Sequence, residues 1–232
     1  MKSPLLTDEY FAYIMHDLKF PAMAQVCALK SLLNNSKVKF DSDEKDLIEL
    51  TLNSCNYMKK LIDIFNSIYK LNTDKLVLNF TKFNISELIV EVTNEINILL
   101  KYNNLKLEMS LDDSIVLNAD KFYIKYAIEN IISNCIRNAY RNTIIKINVS
   151  LFKNQMIFEV KTNSKCFDEY VFKEIFNKSK KYAAQFRRSG IGLGMYLSKE
   201  IIHAHFGKMI IKSYNDDVNA LGFYLPIYAD KK

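Results

Sequence analysis

His16 and Asp17 place a nucleophilic imidazole directly beside a carboxylate. Far along the chain, Gly190-Ile191-Gly192-Leu193-Gly194 forms a glycine-rich turn ahead of a helical pattern. The start of a helix carries free backbone N–H groups that can hold phosphate. In this order the two stretches suggest phosphoryl chemistry shared between two modules. Between them, Asn130 and Asn134 share one helical face, and Arg137 and Asn138 extend it by a turn. Amide oxygens can coordinate Mg²⁺, and an arginine can meet phosphate. In a chain this rich in asparagine, an ordinary solvated helix face accounts for the same pattern. The glycine turn is equally weak alone. It is no P-loop, because no Lys-Ser/Thr pair follows, and no βαβ unit surrounds it as a dinucleotide turn requires.

The elements that must position these groups fall into two parts. All five glycines lie at or after Gly190, and Pro21 is the one proline inside the N-terminal helical stretch. That favours long helices at the start of the chain. The first runs from Leu6 to Leu33, with Phe11, Ile14, Leu18, Gln25, Ala28 and Leu32 on one seam. The second runs from Asp43 to Leu71, with Leu47, Leu50, Ser54, Tyr57, Leu61, Ile64, Ile68 and Leu71 as its seam. A polar turn, Asn34 to Asp41, joins them. Two such helices cannot bury two apolar faces alone, so a dimeric four-helix bundle is expected. His16 lies on the outward side, and Pro21 should kink the helix one turn later.

Past Leu71 the pattern changes. Leu76 to Phe83 reads as a strand and Asn84 to Leu100 as a helix capped by Asn84 and Glu87. Leu105 to Leu111 alternates as a strand, Asp120 to Tyr140 is helical, and strands follow at Ile145–Leu151 and Met156–Lys161. A helix from Leu193 to Phe206 should end on Gly207 as its C′ residue, before strands at Met209–Ser213 and Leu221–Ile227. The fold class is α+β: an antiparallel-rich sheet with helices on one face.

Composition narrows the class. The net charge of +6 is mild. The basic cluster Lys178, Lys180, Lys181, Arg187 and Arg188 reads as the lining of a phosphate site, and no nucleic-acid partner is expected. No stretch of about 18 apolar residues exists, so no membrane span is expected. The Met-Lys-Ser-Pro start does not read as a signal peptide. Cys27, Cys55, Cys135 and Cys166 lack metal spacing and read as thiols in a reduced cytoplasmic setting.

With these motifs in order, nearly the whole chain resembles the catalytic core of a bacterial two-component sensor histidine kinase. His16-Asp17-Leu18-Lys19-Phe20-Pro21 resembles the H box, and Asn130-Ile131-Ile132-Ser133-Asn134 the N box. Ile175-Phe176 resembles the start of the F box. Gly190 to Met195 with Leu197-Ser198-Lys199 resembles the G2 box. His205 and Gly207 match the family's His-Gly-Gly in part. The resemblance implies a dimerisation and phosphotransfer hairpin over residues 1–71 and an ATPase-type α/β sandwich over residues 72–232. It implies His16 as phosphoacceptor, Asp17 as the acid that polarises it, and Asn134 as the Mg²⁺ ligand. Asn130 and Arg137 would join the nucleotide site, with Gly190, Gly192 and Gly194 framing the lid over the phosphates.

The chain departs from this family in ways that bear on function. The family's Asp-x-Gly-x-Gly segment aligns with Thr162, Ser164 and Cys166. Thr162 replaces the aspartate that accepts the adenine amino hydrogen bond, so Mg-ATP binding is expected to be weak or absent. Phe20 stands where phosphatase-competent relatives carry Thr or Asn to orient water. Few residues precede His16, so no sensory domain is expected, and a small-molecule signal could enter the altered pocket. The expected function is a two-component protein that sets the phosphorylation of a cognate response regulator bearing its own Mg²⁺. Its autokinase activity is impaired and it acts mainly as phosphatase or phosphotransfer partner. The alternatives are an ordinary autophosphorylating kinase and a non-catalytic pseudokinase module.

Overall fold

The computed structural model describes residues 8–35, 37–72, 78–164, 193–215 and 217–227. The chain divides into two compact units, Met1–Leu76 and Val77–Lys232. Gly190, Gly192, Ile175-Phe176, the basic cluster and Cys166 lie outside the described residues, as do the first residues expected in helix one and the start of the Leu76 strand.

The first unit is a helical hairpin of α1 (Asp8–Leu33) and α2 (Ser42–Asn72). At the entry to α2, Asp41 Oδ1 accepts from the Glu44 N–H and Glu44 reaches back to the Asp41 N–H, a reciprocal cap. The seam that closes the hairpin differs from the expected one by a single residue. Met15, Ala22 and Val26 of α1 are buried, with Leu29 and Leu33 partly covered, against Ile48, Leu52, buried Cys55 and Ile62 of α2. Ile14, Leu18, Leu32, Leu47, Leu50 and Tyr57, all assigned to the seam by periodicity, are exposed. Each helix carries two adjacent apolar stripes. One stripe closes the hairpin and the other faces outward. The Cys55 thiol meets Gln25 Oε1 at 3.6 Å, and Lys19 pairs with Asp63 at 2.6 Å. Helix α1 runs on through Pro21. The ring nitrogen there has no N–H, so the Asp17 carbonyl lacks its usual intrahelical donor.

The second unit is a two-layer sandwich. A small antiparallel pair joins β1 (Thr81–Asn84) to β3 (Val116–Ala119). The main sheet has the order β2-β4-β5-β7-β6, from β2 (Lys106–Ser110), β4 (Ile144–Phe152), β5 (Gln155–Asn163), β6 (Lys208–Asn215) and β7 (Val218–Pro226). Among the described residues β2 and β4 pair in parallel and the other strand pairs are antiparallel. On β5, Met156, Phe158, Val160 and Thr162 share one buried face, and Leu221, Phe223 and Leu225 of β7 lie opposite the first three. Helices α3 (Ile85–Glu95), α4 (Asn97–Tyr102), α5 (Lys121–Asn138) and α6 (Leu193–Ala204) belong to the same unit.

Three local expectations are corrected. The helix expected over Asn84–Leu100 is broken at Ile96, whose φ of −96° and ψ of 3° leave the helical region. The break lets both Ile96 and Leu100 stay buried. Asn84 does cap it, accepting from the N–H groups of Ser86 and Glu87. Strand β3 was not foreseen, because its pairing with β1 is set by tertiary contact. Finally, Gly207 is not the left-handed residue that ends α6. Phe206 is, with φ 62°. The Phe206 N–H donates to His203 O (3.0 Å) and the Gly207 N–H to Ile202 O (2.9 Å), a Schellman ending shifted one residue back. Glycine is needed at 207 for space: a Cβ there would overlap the Tyr224 carbonyl.

Candidate functional site

His16 and Asp17 sit on the outer surface of α1, with side chains 77% and 81% exposed. His16 Nδ1 lies 3.3 Å from Asp17 Oδ1. With its proton on Nδ1 donated to the carboxylate, the imidazole keeps a lone pair on Nε2, facing solvent as a nucleophile. Phe20 follows one helical turn later and is 71% exposed. It offers a flat apolar surface beside the histidine and no group to orient water.

In the second unit, helix α5 carries the asparagines. Asp120 starts it, accepting from the Phe122 N–H at 3.2 Å, and its other oxygen accepts from the Asn79 N–H at 2.9 Å. The alternative of a solvated face fails for the two key residues. Asn130 and Asn134 are both buried, Asn134 to 1% exposure, while Arg137 and Asn138 are exposed. The cover for Asn130 is α6. A Cβ on Gly194, in the first turn of α6, would overlap Asn130 Oδ1. Glycine therefore lets the two helices meet there, while Asn130 Nδ2 donates to Tyr126 O at 3.0 Å.

Asn134 is held by a residue whose role was not foreseen. Asn138 Nδ2 donates both to the Asn134 carbonyl (2.8 Å) and to Asn134 Oδ1 (3.2 Å). Asn134 Nδ2 is buried without a partner among the described residues. The open position at Asn134 is therefore a hydrogen-bond donor, whereas a divalent cation requires oxygen. Among the described residues no cluster of His, Cys, Asp and Glu could hold a metal either. As these side chains stand, they do not fit Mg²⁺ at Asn134.

Thr162 lies at the end of β5, 2% exposed, and its hydroxyl is also buried without a partner among the described residues. Two residues on, Ser164 is fully buried and anchored. Asn219 Nδ2 donates to its carbonyl (2.9 Å) and its hydroxyl (3.0 Å), and its own N–H donates to Asp217 O. Ser213 Oγ donates in turn to Asn219 Oδ1 at 2.7 Å. Asn219 was not foreseen, since only strand pairing brings it to Ser164. The spacing of Asn138 from Asn134 was a readable signal. Cys135 is deeply buried, and burial pushes its thiol up to about 12.

His205 has a structural place. Its Nδ1–H donates to Ile201 O (2.8 Å), and its Nε2 accepts the Asp120 N–H (3.1 Å), tying the end of α6 to the start of α5. Accepting the Asp120 N–H requires the neutral ring, whereas the bond to Ile201 O is kept in either state. Burial holds its pKa below the ordinary histidine value, opposed in part by the Ile201 carbonyl and the Asp120 carboxylate. The unfolded chain therefore takes up a proton first as pH falls, and stability drops as pH falls below about 6.5. Urea unfolding across this range should show that drop in the native protein and a flatter profile in His205→Gln. Parallel profiles would remove His205 as the cause.

Comparison with known proteins fits this geometry. Residues 119–227 match the family of histidine kinase-, DNA gyrase B-, and HSP90-like ATPases. Sensor histidine kinase YvrG of Bacillus subtilis is 24% identical over 210 residues, covering 89% of this chain and 36% of that protein. Sensor protein VanS of Enterococcus faecium is 25% identical over 222 residues, covering 94% of this chain and 56% of that protein. The chain thus spans well under two thirds of either relative. Histidine kinase ThkA, solved in complex with response regulator protein TrrA, shares the fold with a TM-score of 0.58 at 20% identity, covering 95% of this chain and 61% of that one. No helix among the described residues is long and apolar enough to cross a membrane. Residues 119–227 thus form a domain of the histidine kinase-, DNA gyrase B-, and HSP90-like ATPase family, and the chain as a whole is similar to the catalytic core of sensor histidine kinases.

Proposed function

We propose that this chain controls the phosphorylation of a cognate response regulator in two-component signalling, mainly by removing or relaying the regulator's phosphoryl group. Residues 1–71 serve as the dimerisation and phosphotransfer hairpin, and residues 72–232 as the nucleotide-binding domain, in the cytoplasm. The exposed outward stripe Ile14, Leu18, Leu32, Leu47 and Leu50 supports a homodimer, because a second copy would cover it. That a related kinase is solved with its regulator supports the partner class.

The observation that carries the reading is the pairing of a solvent-facing His16–Asp17 couple with a buried Thr162 where an adenine-binding aspartate would stand. His16 Nε2 attacks the phosphorus of the regulator's aspartyl phosphate. A P–N bond forms, the P–O bond breaks, and the regulator's carboxylate leaves with the electron pair, beside the Mg²⁺ that the regulator carries. Asp17 holds the Nδ1 proton and stabilises the charge that develops on the ring. Water then attacks the phosphorus, the P–N bond breaks with its electron pair returning to Nε2, and inorganic phosphate leaves. In the opposite direction, Thr162 supplies a neutral hydroxyl in place of a carboxylate, so ATP is held weakly and autophosphorylation is slow.

Labelled ATP and a labelled phospho-regulator test this directly. The expected result is faster loss of label from the regulator, transient label on His16, and little label on His16 from ATP. Stoichiometric labelling from ATP within minutes would favour an ordinary autokinase. No exchange in either direction would favour an interaction module.

A further inference from the structure

We propose that Asn138 is a positioning residue that turns the Asn134 amide nitrogen toward the ligand side, so that Asn134 receives a ligand oxygen in place of a divalent cation. The proposal deepens the reading of residues 72–232 as a nucleotide-binding domain and rests on it.

The amide protons fix the orientation of both side chains. The Asn134 backbone carbonyl can only accept, so the Asn138 group 2.8 Å from it must be the NH₂ end of that amide. The same nitrogen lies 3.2 Å from the Asn134 side chain. If Asn134 turned its own NH₂ there, two donors would oppose each other. Asn134 must therefore present Oδ1 to Asn138, which leaves Nδ2 on the far side. That nitrogen is buried, on a residue 1% exposed, with no partner among the described residues. An orphaned buried donor is costly unless something accepts from it, and a phosphate or other ligand oxygen would do so. A cation placed at Oδ1 would instead meet the Asn138 amide protons, which carry partial positive charge.

Asn138 is exposed at the last turn of α5, so its replacement leaves folding intact. Calorimetric titration of the full chain with ADP, in chelator and in excess Mg²⁺, separates the possibilities. The native protein is expected to bind ADP with less than about a threefold change in affinity between the two buffers. Asn138→Ala frees the Asn134 amide to rotate and should gain about tenfold in affinity on adding Mg²⁺, the size of effect seen for residues that orient metal ligands. Asn134→Asp, which offers a second oxygen and no donor, should bind ADP only with Mg²⁺. Tenfold or greater Mg²⁺ dependence in the native protein overturns the proposal. So does an Asn138→Ala variant that behaves like the native chain. Absence of ADP binding in both buffers also overturns it, yet leaves the regulator-directed function standing, since that function is tested by phosphoryl exchange at His16 and not by nucleotide binding.

Discussion

Replacing His16 with glutamine is expected to abolish phosphoryl exchange with the regulator while leaving the protein folded. Glutamine keeps a polar side chain of similar reach but has no nucleophilic ring nitrogen. The His16 side chain is 77% exposed and bonds only to its neighbour Asp17 among the described residues, so stability should change by less than about 0.5 kcal/mol. Asp17→Asn should retain the nucleophile and lose the partner that fixes its tautomer, slowing exchange by roughly 10²- to 10⁴-fold. The order of the two variants carries the information. A purely structural role for Asp17 would move the unfolding midpoint along with the rate, whereas the polarising role moves the rate alone. If His16→Gln still dephosphorylates the regulator at the native rate, His16 is not the phosphoryl carrier. Sequestration by a pseudokinase dimer would then explain signalling better.

The parts of this fold that were legible in the sequence are those written in local chemistry. Freedom from glycine foretold α1 and α2, and alternation foretold β2, β4 and β5. Asn84 and Glu87 marked the start of α3. What failed was arbitration between near-equal local options. Two apolar stripes run side by side on each hairpin helix, and periodicity alone cannot say which one closes the hairpin. Phe206 and Gly207 compete for the left-handed position, and glycine's preference was overruled because the Tyr224 carbonyl needs the empty space at 207. Asn130 and Asn134 were visible as an asparagine face, but the burial of Asn130 depends on α6 packing at Gly194, a tertiary fact. The lock of Asn138 on Asn134 needed only an i, i+4 reading. The anchoring of Ser164 by Asn219 needed the β5–β7 pairing, which no local pattern reveals.

Restoring the missing carboxylate is the strongest test of why nucleotide should bind weakly. Thr162→Asp is expected to raise adenine-nucleotide affinity by roughly 10- to 150-fold, the value of about 1.5–3 kcal/mol for a charge-assisted hydrogen bond to the adenine amino group. The same substitution should weaken the empty protein. Thr162 is 2% exposed, and a carboxylate placed there is desolvated without a partner, so its folded pKa rises above the unfolded value. A raised carboxyl pKa contributes least at high pH. The variant's stability deficit should therefore be small near pH 4 and grow as pH rises toward 7. Adenine nucleotide would supply the missing donor and offset that deficit, so the variant's unfolding temperature should respond to ADP more strongly than the native protein's. Ser164 limits how far this repair can go. Its side chain is anchored to Asn219, and a nucleotide that needs that space would gain less than the carboxylate alone allows. Equal ADP affinity in a folded Thr162→Asp variant and the native chain would sink the explanation. A further gain on adding Ser164→Gly would locate the remaining obstruction at the anchored serine.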